Sequence, residues 1–79
     1  MGGKLIITDL ALAASRFRSS IVFVKDHNVV DGKSVMGLYS AWTNEDPPRV
    51  AYIEGPDKEE ARSAIEEVFK KHGLSIEFK

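Results

Sequence analysis

The stretch from Asp57 to Leu74 constrains this chain most, because its pattern is that of an amphipathic helix with marked ends. Ala61, Ile65, Val68 and Phe69 recur at i, i+4, i+7 and i+8, which puts them on one helical face. Asp57 is a good N-cap, and Glu60 stands where a capping box needs its acid. Glu59 and Glu60 open the helix, and Lys70, Lys71 and His72 close it, each sign matching the helix macrodipole. Gly73 suits the left-handed position just past a helix, and Leu74 can make the apolar contact that follows it. A helix with one apolar face must bury it against another layer.

The rest of the chain supplies that layer. Ile21 to Val24 is a β-branched run that reads as a buried strand, and Asp26-His27-Asn28 turns it into a second short strand at Val29-Val30, which Asp31-Gly32 ends. Val50 to Ile53 is a third strand, joined to the helix through Gly55-Pro56-Asp57. Leu10 to Ser15 is rich in Ala and Leu and favours helix; Phe17 extends its apolar face and Arg18-Ser19-Ser20 is its exit. Lys4 to Ile7 reads as a strand or as the first turn of a helix, with Thr8 or Asp9 as a cap. Ser34 can cap a short helix around Val35, Met36, Leu38, Tyr39 and Trp42, in which Gly37 costs about 1 kcal/mol relative to Ala. Thr43 to Arg49 is a polar loop stiffened by Pro47-Pro48, and Ser75 to Lys79 alternates well enough to add an edge strand. Met1-Gly2-Gly3 carries no structural weight in this reading. The order is (β)-α-β-β-α-β-α, with a short strand possible at the end. The expected fold class is α+β, one domain over residues 1–79, with an antiparallel sheet covered on one face by helices.

Composition narrows the function. The chain has 79 residues, and a chain of that size buries only about 60–65% of its unfolded surface. It is 43% hydrophobic and 29% charged, which argues against disorder. Its 11 basic and 12 acidic residues give a net charge of −1 without a basic stripe, so nucleic acid and anionic membranes are not expected partners. No apolar run is long enough to span a bilayer, and a cytoplasmic setting is the default. The absence of Cys removes thiolate chemistry, disulfides and Cys-based zinc sites.

No residue set in the sequence performs covalent chemistry unaided, so an enzyme is not expected, and neither is a cofactor or a metal. His27 lies in a turn and His72 at a helix end; local spacing puts no carboxylate beside either, and both read as surface residues. Glycine-rich phosphate loops are absent. Arg16 and Arg18 flank Phe17 and could grip an anion, which two arginines support only weakly. Ser34 stands out. It is an N-cap worth about 1 kcal/mol in stability, yet a phosphate there would also meet free backbone N–H groups, with Lys33 adjacent. A short helix cannot bury all of Val35, Met36, Leu38, Tyr39 and Trp42, so part of this set should form an exposed apolar patch of the kind that marks a protein contact.

These residues resemble the HPr family, the small phosphocarrier proteins of the bacterial sugar phosphotransferase system. K-S-V-M-G-L-Y-S from Lys33 resembles the family's K-S-I-M-G-x-x-S segment. A-S-R-F (Ala14 to Phe17), G-P-D-K-E-E-A…A-I-E-E (Gly55 to Glu67) and H-G-L (His72 to Leu74) are similar to three further family segments, and the spacing fits without a gap from about Ala14 to Leu74. The resemblance implies an HPr-like open-faced sandwich of β-α-β-β-α-β-α order: a four-stranded antiparallel sheet with three helices on one face. It also implies two functional positions. One is a Ser phosphorylated by a dedicated ATP-dependent kinase, which falls on Ser34. The other is a His that accepts phosphate from enzyme I, expected in a G-x-H-A-R-P-like loop before the first helix. That loop is missing. A gapless register puts Gly3 at the His and Leu5 at the accompanying Arg. Alternatively the loop is deleted and Lys4 to Ile7 is the first strand, or the first strand is absent and Ile76 to Phe78 takes its place as in a circular permutant.

The pattern of loss is similar to that of the His-less HPr paralogue of bacilli that acts as a corepressor. It implies a regulatory binding module switched at Ser34, with Lys33, Val35, Met36, Tyr39 and Arg16 meeting the partner. The implied partners are proteins: an HPr kinase, a transcription regulator or other phosphotransferase components. Two alternatives are an ordinary phosphocarrier with an altered loop and an unrelated α/β sensing or assembly module.

Overall fold

The computed structural model of the chain describes residues 2–42 and 47–79. Its elements run α1 (Gly2–Ser15), β1 (Ser20–Lys25), β2 (Asn28–Asp31), α2 (Val35–Ala41), β3 (Val50–Glu54), α3 (Lys58–Lys71) and β4 (Glu77–Phe78). The four strands form one sheet in the order β2-β1-β3-β4. Together with the three helices this is an α+β open-faced sandwich.

The first element is a helix, which settles the ambiguity at Lys4–Ile7 against a strand. Ile6, Leu10, Ala13, Ala14 and Phe17 keep one helical period from the β-branched run into the Ala-rich segment, and the first four are buried. That continuous stripe overrides the strand preference of Ile6 and Ile7. Thr8 and Asp9 therefore lie inside the helix rather than capping it, and Gly2 and Gly3 belong to its first turn.

The hairpin forms as expected. Val24 faces Val29 and Lys25 faces Asn28, leaving Asp26 and His27 as the turn, and Asp26 takes a positive φ of 57°. β3 lies antiparallel on the other side of β1, with Phe23 opposite Ala51 and Ile21 opposite Ile53. These four residues are buried beneath the helices, where Phe23 and Trp42 bring their rings to 6.0 and 6.2 Å from that of Phe69. The polar loop expected over Thr43–Arg49 falls partly outside the described residues, at 43–46.

The expectation of a wholly antiparallel sheet is corrected at its edge. β4 runs parallel to β3, pairing Glu77 with Val50 and Phe78 with Ala51. The reason is connectivity: α3 carries the chain back across the sheet, so the strand after it starts from the same end as β3. A terminal strand beside β3 is thus present, as the permuted arrangement would have it, but its parallel direction sets it apart from a rearranged antiparallel sheet.

The C-terminus of α3 ends as its sequence dictates. Gly73 has a φ of 75°, its N–H donates to the Lys70 carbonyl, and the Leu74 N–H donates to that of Phe69. This is a Schellman closure, with half-buried Leu74 packed on the core. The start of α3 departs from expectation. Asp57 occupies the N-cap position, but its side chain makes no capping bond, so the capping box does not form. Its carboxylate is engaged elsewhere.

Candidate functional site

Ser34 is the N-cap of α2. Its backbone is extended, and its Oγ accepts a hydrogen bond from the Gly37 N–H at 3.0 Å. Leu38 and Ala41 turn inward from α2, and buried Trp42 follows it. The outward side carries Met36 at 82% exposed, Val35 at 43% and Tyr39 at 45%. The patch expected from the apolar excess of this segment therefore exists. It lies immediately after Ser34, because a helix spaced at 3.6 residues per turn can direct only part of a V-M-G-L-Y-S-A-W run at the sheet.

Lys33 is not a free cation beside Ser34. Its Nζ donates to the backbone carbonyl of Phe17 at 2.8 Å, across to the exit of α1. Arg16 is exposed at that exit, with its guanidinium 5.7 Å from the Phe17 ring centroid. Ser34, Val35, Met36 and Tyr39 thus form one surface, and Lys33 ties it to the corner that bears Arg16.

That corner is held from a third element. The Asp57 carboxylate accepts from the Arg18 N–H at 3.0 Å, from the Ser19 N–H at 2.9 Å and from the Ser19 hydroxyl at 2.5 Å. The Ser19 Oγ accepts in turn from the Asp57 N–H at 3.2 Å. These bonds hold the Asp57 carboxyl at about 2, the Ser19 hydroxyl contributing most. The knot is tight: a Cβ on Gly55, whose φ is 146°, would lie 2.6 Å from the Ser19 Cα.

Asp9 and His72 form a second pair that spacing concealed. His72 Nε2 lies 2.8 Å from Asp9 Oδ2, and Lys71 Nζ stands 3.8 Å from the same oxygen. The surface reading of His72 is corrected accordingly: its side chain is only 19% exposed. The His72 hydrogen bond is the main cause that lowers the Asp9 carboxyl below its ordinary range, with the Lys71 charge assisting. His27 is exposed, as read. The positions that the gapless register gives to the acceptor His and its Arg hold Gly3, in the first turn of α1, and Leu5, which is exposed.

Among the described residues, no group of His, Asp and Glu side chains is arranged to hold a metal ion. No helix among them is long and apolar enough to cross a membrane.

Residues 6–71 match the family model described as "PTS HPr component phosphorylation site". The chain belongs to the HPr family. HPr proteins are the phosphocarriers of the bacterial sugar phosphotransferase system, and they work by meeting its other proteins. The chain is 41% identical over 58 residues to the phosphocarrier protein HPr of Treponema pallidum (strain Nichols), an alignment spanning 73% of this chain and 66% of that one, just under two thirds of the relative. It superposes on the crystal structure of an HPr dimer from Thermoanaerobacter tengcongensis with a TM-score of 0.71 and 31% identity, over 84% of this chain and 76% of that one. A second HPr structure from the same organism, HPr-C-His, gives a TM-score of 0.67 at 30% identity, over 80% and 71% of the two chains. Membership of the HPr family removes the unrelated sensing or assembly module from consideration.

Three side-chain relationships escaped the sequence: Lys33 to Phe17, Asp57 to Ser19, and His72 to Asp9. Their partners lie 16, 38 and 63 positions apart, and no local period links them. The only trace in the sequence was a polar residue in each case beside a turn or a helix end.

Proposed function

We propose that this chain is a regulatory HPr, a protein-docking module switched by phosphorylation of Ser34 rather than a carrier of phosphohistidine. The observation that carries the reading is the apolar surface of Val35, Met36 and Tyr39 set directly beside Ser34. A phosphoryl group on the Ser34 Oγ would stand at the edge of that surface, where about −1.5 to −2 charges change what can dock. The γ-phosphoryl of ATP would move to Oγ, with ADP leaving and the hydroxyl proton passing to a base of the kinase. Lys33 and Arg16 would border the docking surface.

The alternative of an ordinary phosphocarrier lacks support from either histidine. His27 has no orienting partner among the described residues. His72 has one, but it sits at a helix C-terminus against a carboxylate, where negative potential opposes a phosphoryl group. An HPr in this mode is a substrate of kinases and a ligand of regulators, is not itself a catalyst, and works in the cytoplasm.

The test is incubation with an HPr kinase and ATP, followed by mapping of the phosphate by mass spectrometry. The reading expects label on Ser34 and none in a Ser34→Ala variant. Acid-labile label on a histidine after treatment with phosphoenolpyruvate and enzyme I would replace it with the carrier reading.

A further inference from the structure

One peptide group, between Phe17 and Arg18, is gripped at both ends by ionic side chains. Its carbonyl accepts from the Lys33 ammonium at 2.8 Å, and its N–H donates to the Asp57 carboxylate at 3.0 Å. Lys33 comes from the residue before Ser34, and Asp57 from the start of α3, so the peptide joins two helix starts to the exit of α1. Bonds in such a line polarise one another, so that weakening one weakens the next.

We propose that Lys33 is a positioning residue that couples Ser34 to this corner: a phosphoryl group on Ser34 draws the Lys33 ammonium off the Phe17 carbonyl and loosens the corner from Arg16 to Ser19. The proposal rests on the reading of Ser34 as the switch and extends it to a second surface. Its physical basis is a competition. The Phe17 carbonyl is a neutral acceptor, whereas a phosphoserine on the adjacent residue is a multiply charged one that adds ion–ion attraction to the hydrogen bond. A lysine ammonium on a four-carbon stem can swing between them at little cost in backbone change. The corner that responds carries exposed Arg16 and Arg18, so a partner reading both α2 and the α1 exit would meet two altered surfaces from one modification.

The experiment uses the full 79-residue chain made by chemical synthesis with phosphoserine at position 34, so that no kinase is needed. Amide hydrogen exchange at Arg18 and Ser19 is followed by NMR. Phosphoserine should speed exchange at both amides by about tenfold, the scale expected for one lost charge-assisted hydrogen bond. Lys33→Gln in the unphosphorylated chain should do the same, and adding phosphoserine to Lys33→Gln should change nothing further. Unchanged exchange in the phosphorylated chain overturns the coupling, as does an equal acceleration with and without Lys33. Failure of the switch reading itself appears separately, as an unlabelled Ser34 in the kinase assay.

Discussion

Asp9 of α1 and His72 at the end of α3, 63 residues apart in sequence, meet side chain to side chain at 2.8 Å and clasp two of the helices that cover the sheet. The bond fixes the last turn of α3 to the middle of α1, beside the Schellman closure at Gly73. Asp9→Asn or His72→Ala should lower the Tm by a few degrees while leaving the far-UV spectrum intact. The double variant should cost little more than either single one, since each removes the same contact. Fully additive losses in thermal unfolding would show that the pair is not one interaction.

The two depressed carboxyls predict how the fold fails in acid. Asp9 and Asp57 both have folded values below the ordinary 3.8, with Asp57 at about 2. A depressed carboxyl contributes stability that is fully present above its unfolded value and is lost as pH falls through the folded one. Stability should therefore hold down to about pH 4 and drop between there and about pH 2. Asp57→Asn should be less stable at neutral pH and should show a shallower drop across that window. A variant with the acid limb of the parent would mean that Asp57 carries no such linkage.

Much of the fold was legible because most elements follow from local pattern. Ala61, Ile65 and Phe69 are buried as their spacing required, and Gly73 closes α3 in the left-handed conformation the sequence suggested. Ser34 was legible as a cap, and so was the exposure of part of the apolar set that follows it, though not which of its members. What stayed hidden was set by tertiary contact. Ile6 and Ile7 read equally as strand or helix until the stripe running to Ala14 is buried as one. The direction of β4 depends on the path of α3 and not on the residues of β4. Asp57 carries every local sign of a capping side chain, yet a buried Ser19 and two free N–H groups lie within its reach and take it instead.

The Ser19–Asp57 knot should be sensitive to small changes at its centre. Ser19 is buried, and its hydroxyl both donates to and accepts from Asp57. Ser19→Ala should cost about 1–2 kcal/mol in urea unfolding, the range for a lost buried hydrogen bond. Gly55→Ala should cost more, about 2 kcal/mol or above, because the new Cβ meets the Ser19 backbone at 2.6 Å in a conformation that disfavours side chains. An equal or smaller loss for Gly55→Ala would mean that the loop relaxes around the methyl group.

Phe69 is the point where the helical layer meets the sheet. It is fully buried, and the rings of Phe23 from β1 and Trp42 from the end of α2 both pack near its own. Phe69→Ala should cost about 3–5 kcal/mol, enough to unfold a domain of this size in part at room temperature. Phe69→Leu keeps most of the volume and should remain folded, losing only about 1–1.5 kcal/mol. Denaturant melts of the two variants measure the difference, and near-equal losses would mean that packing at this position is loose.

Met36 separates docking from folding more cleanly than any other residue of the patch. At 82% exposed it touches little of the core, so Met36→Glu should leave the unfolding free energy within about 0.5 kcal/mol of the parent. The same change puts a charge in the middle of the surface formed with Val35 and Tyr39, next to Ser34. If that surface docks partners, Met36→Glu should slow kinase labelling of Ser34 by about tenfold or more, as the loss of an apolar anchor does at other interfaces. Tyr52→Glu serves as the control: it is exposed on β3 between buried Ala51 and Ile53, so strand alternation turns it away from the helices, and labelling should be unaffected. Equal labelling of both variants, with both folded, would remove the α2 patch from the docking surface.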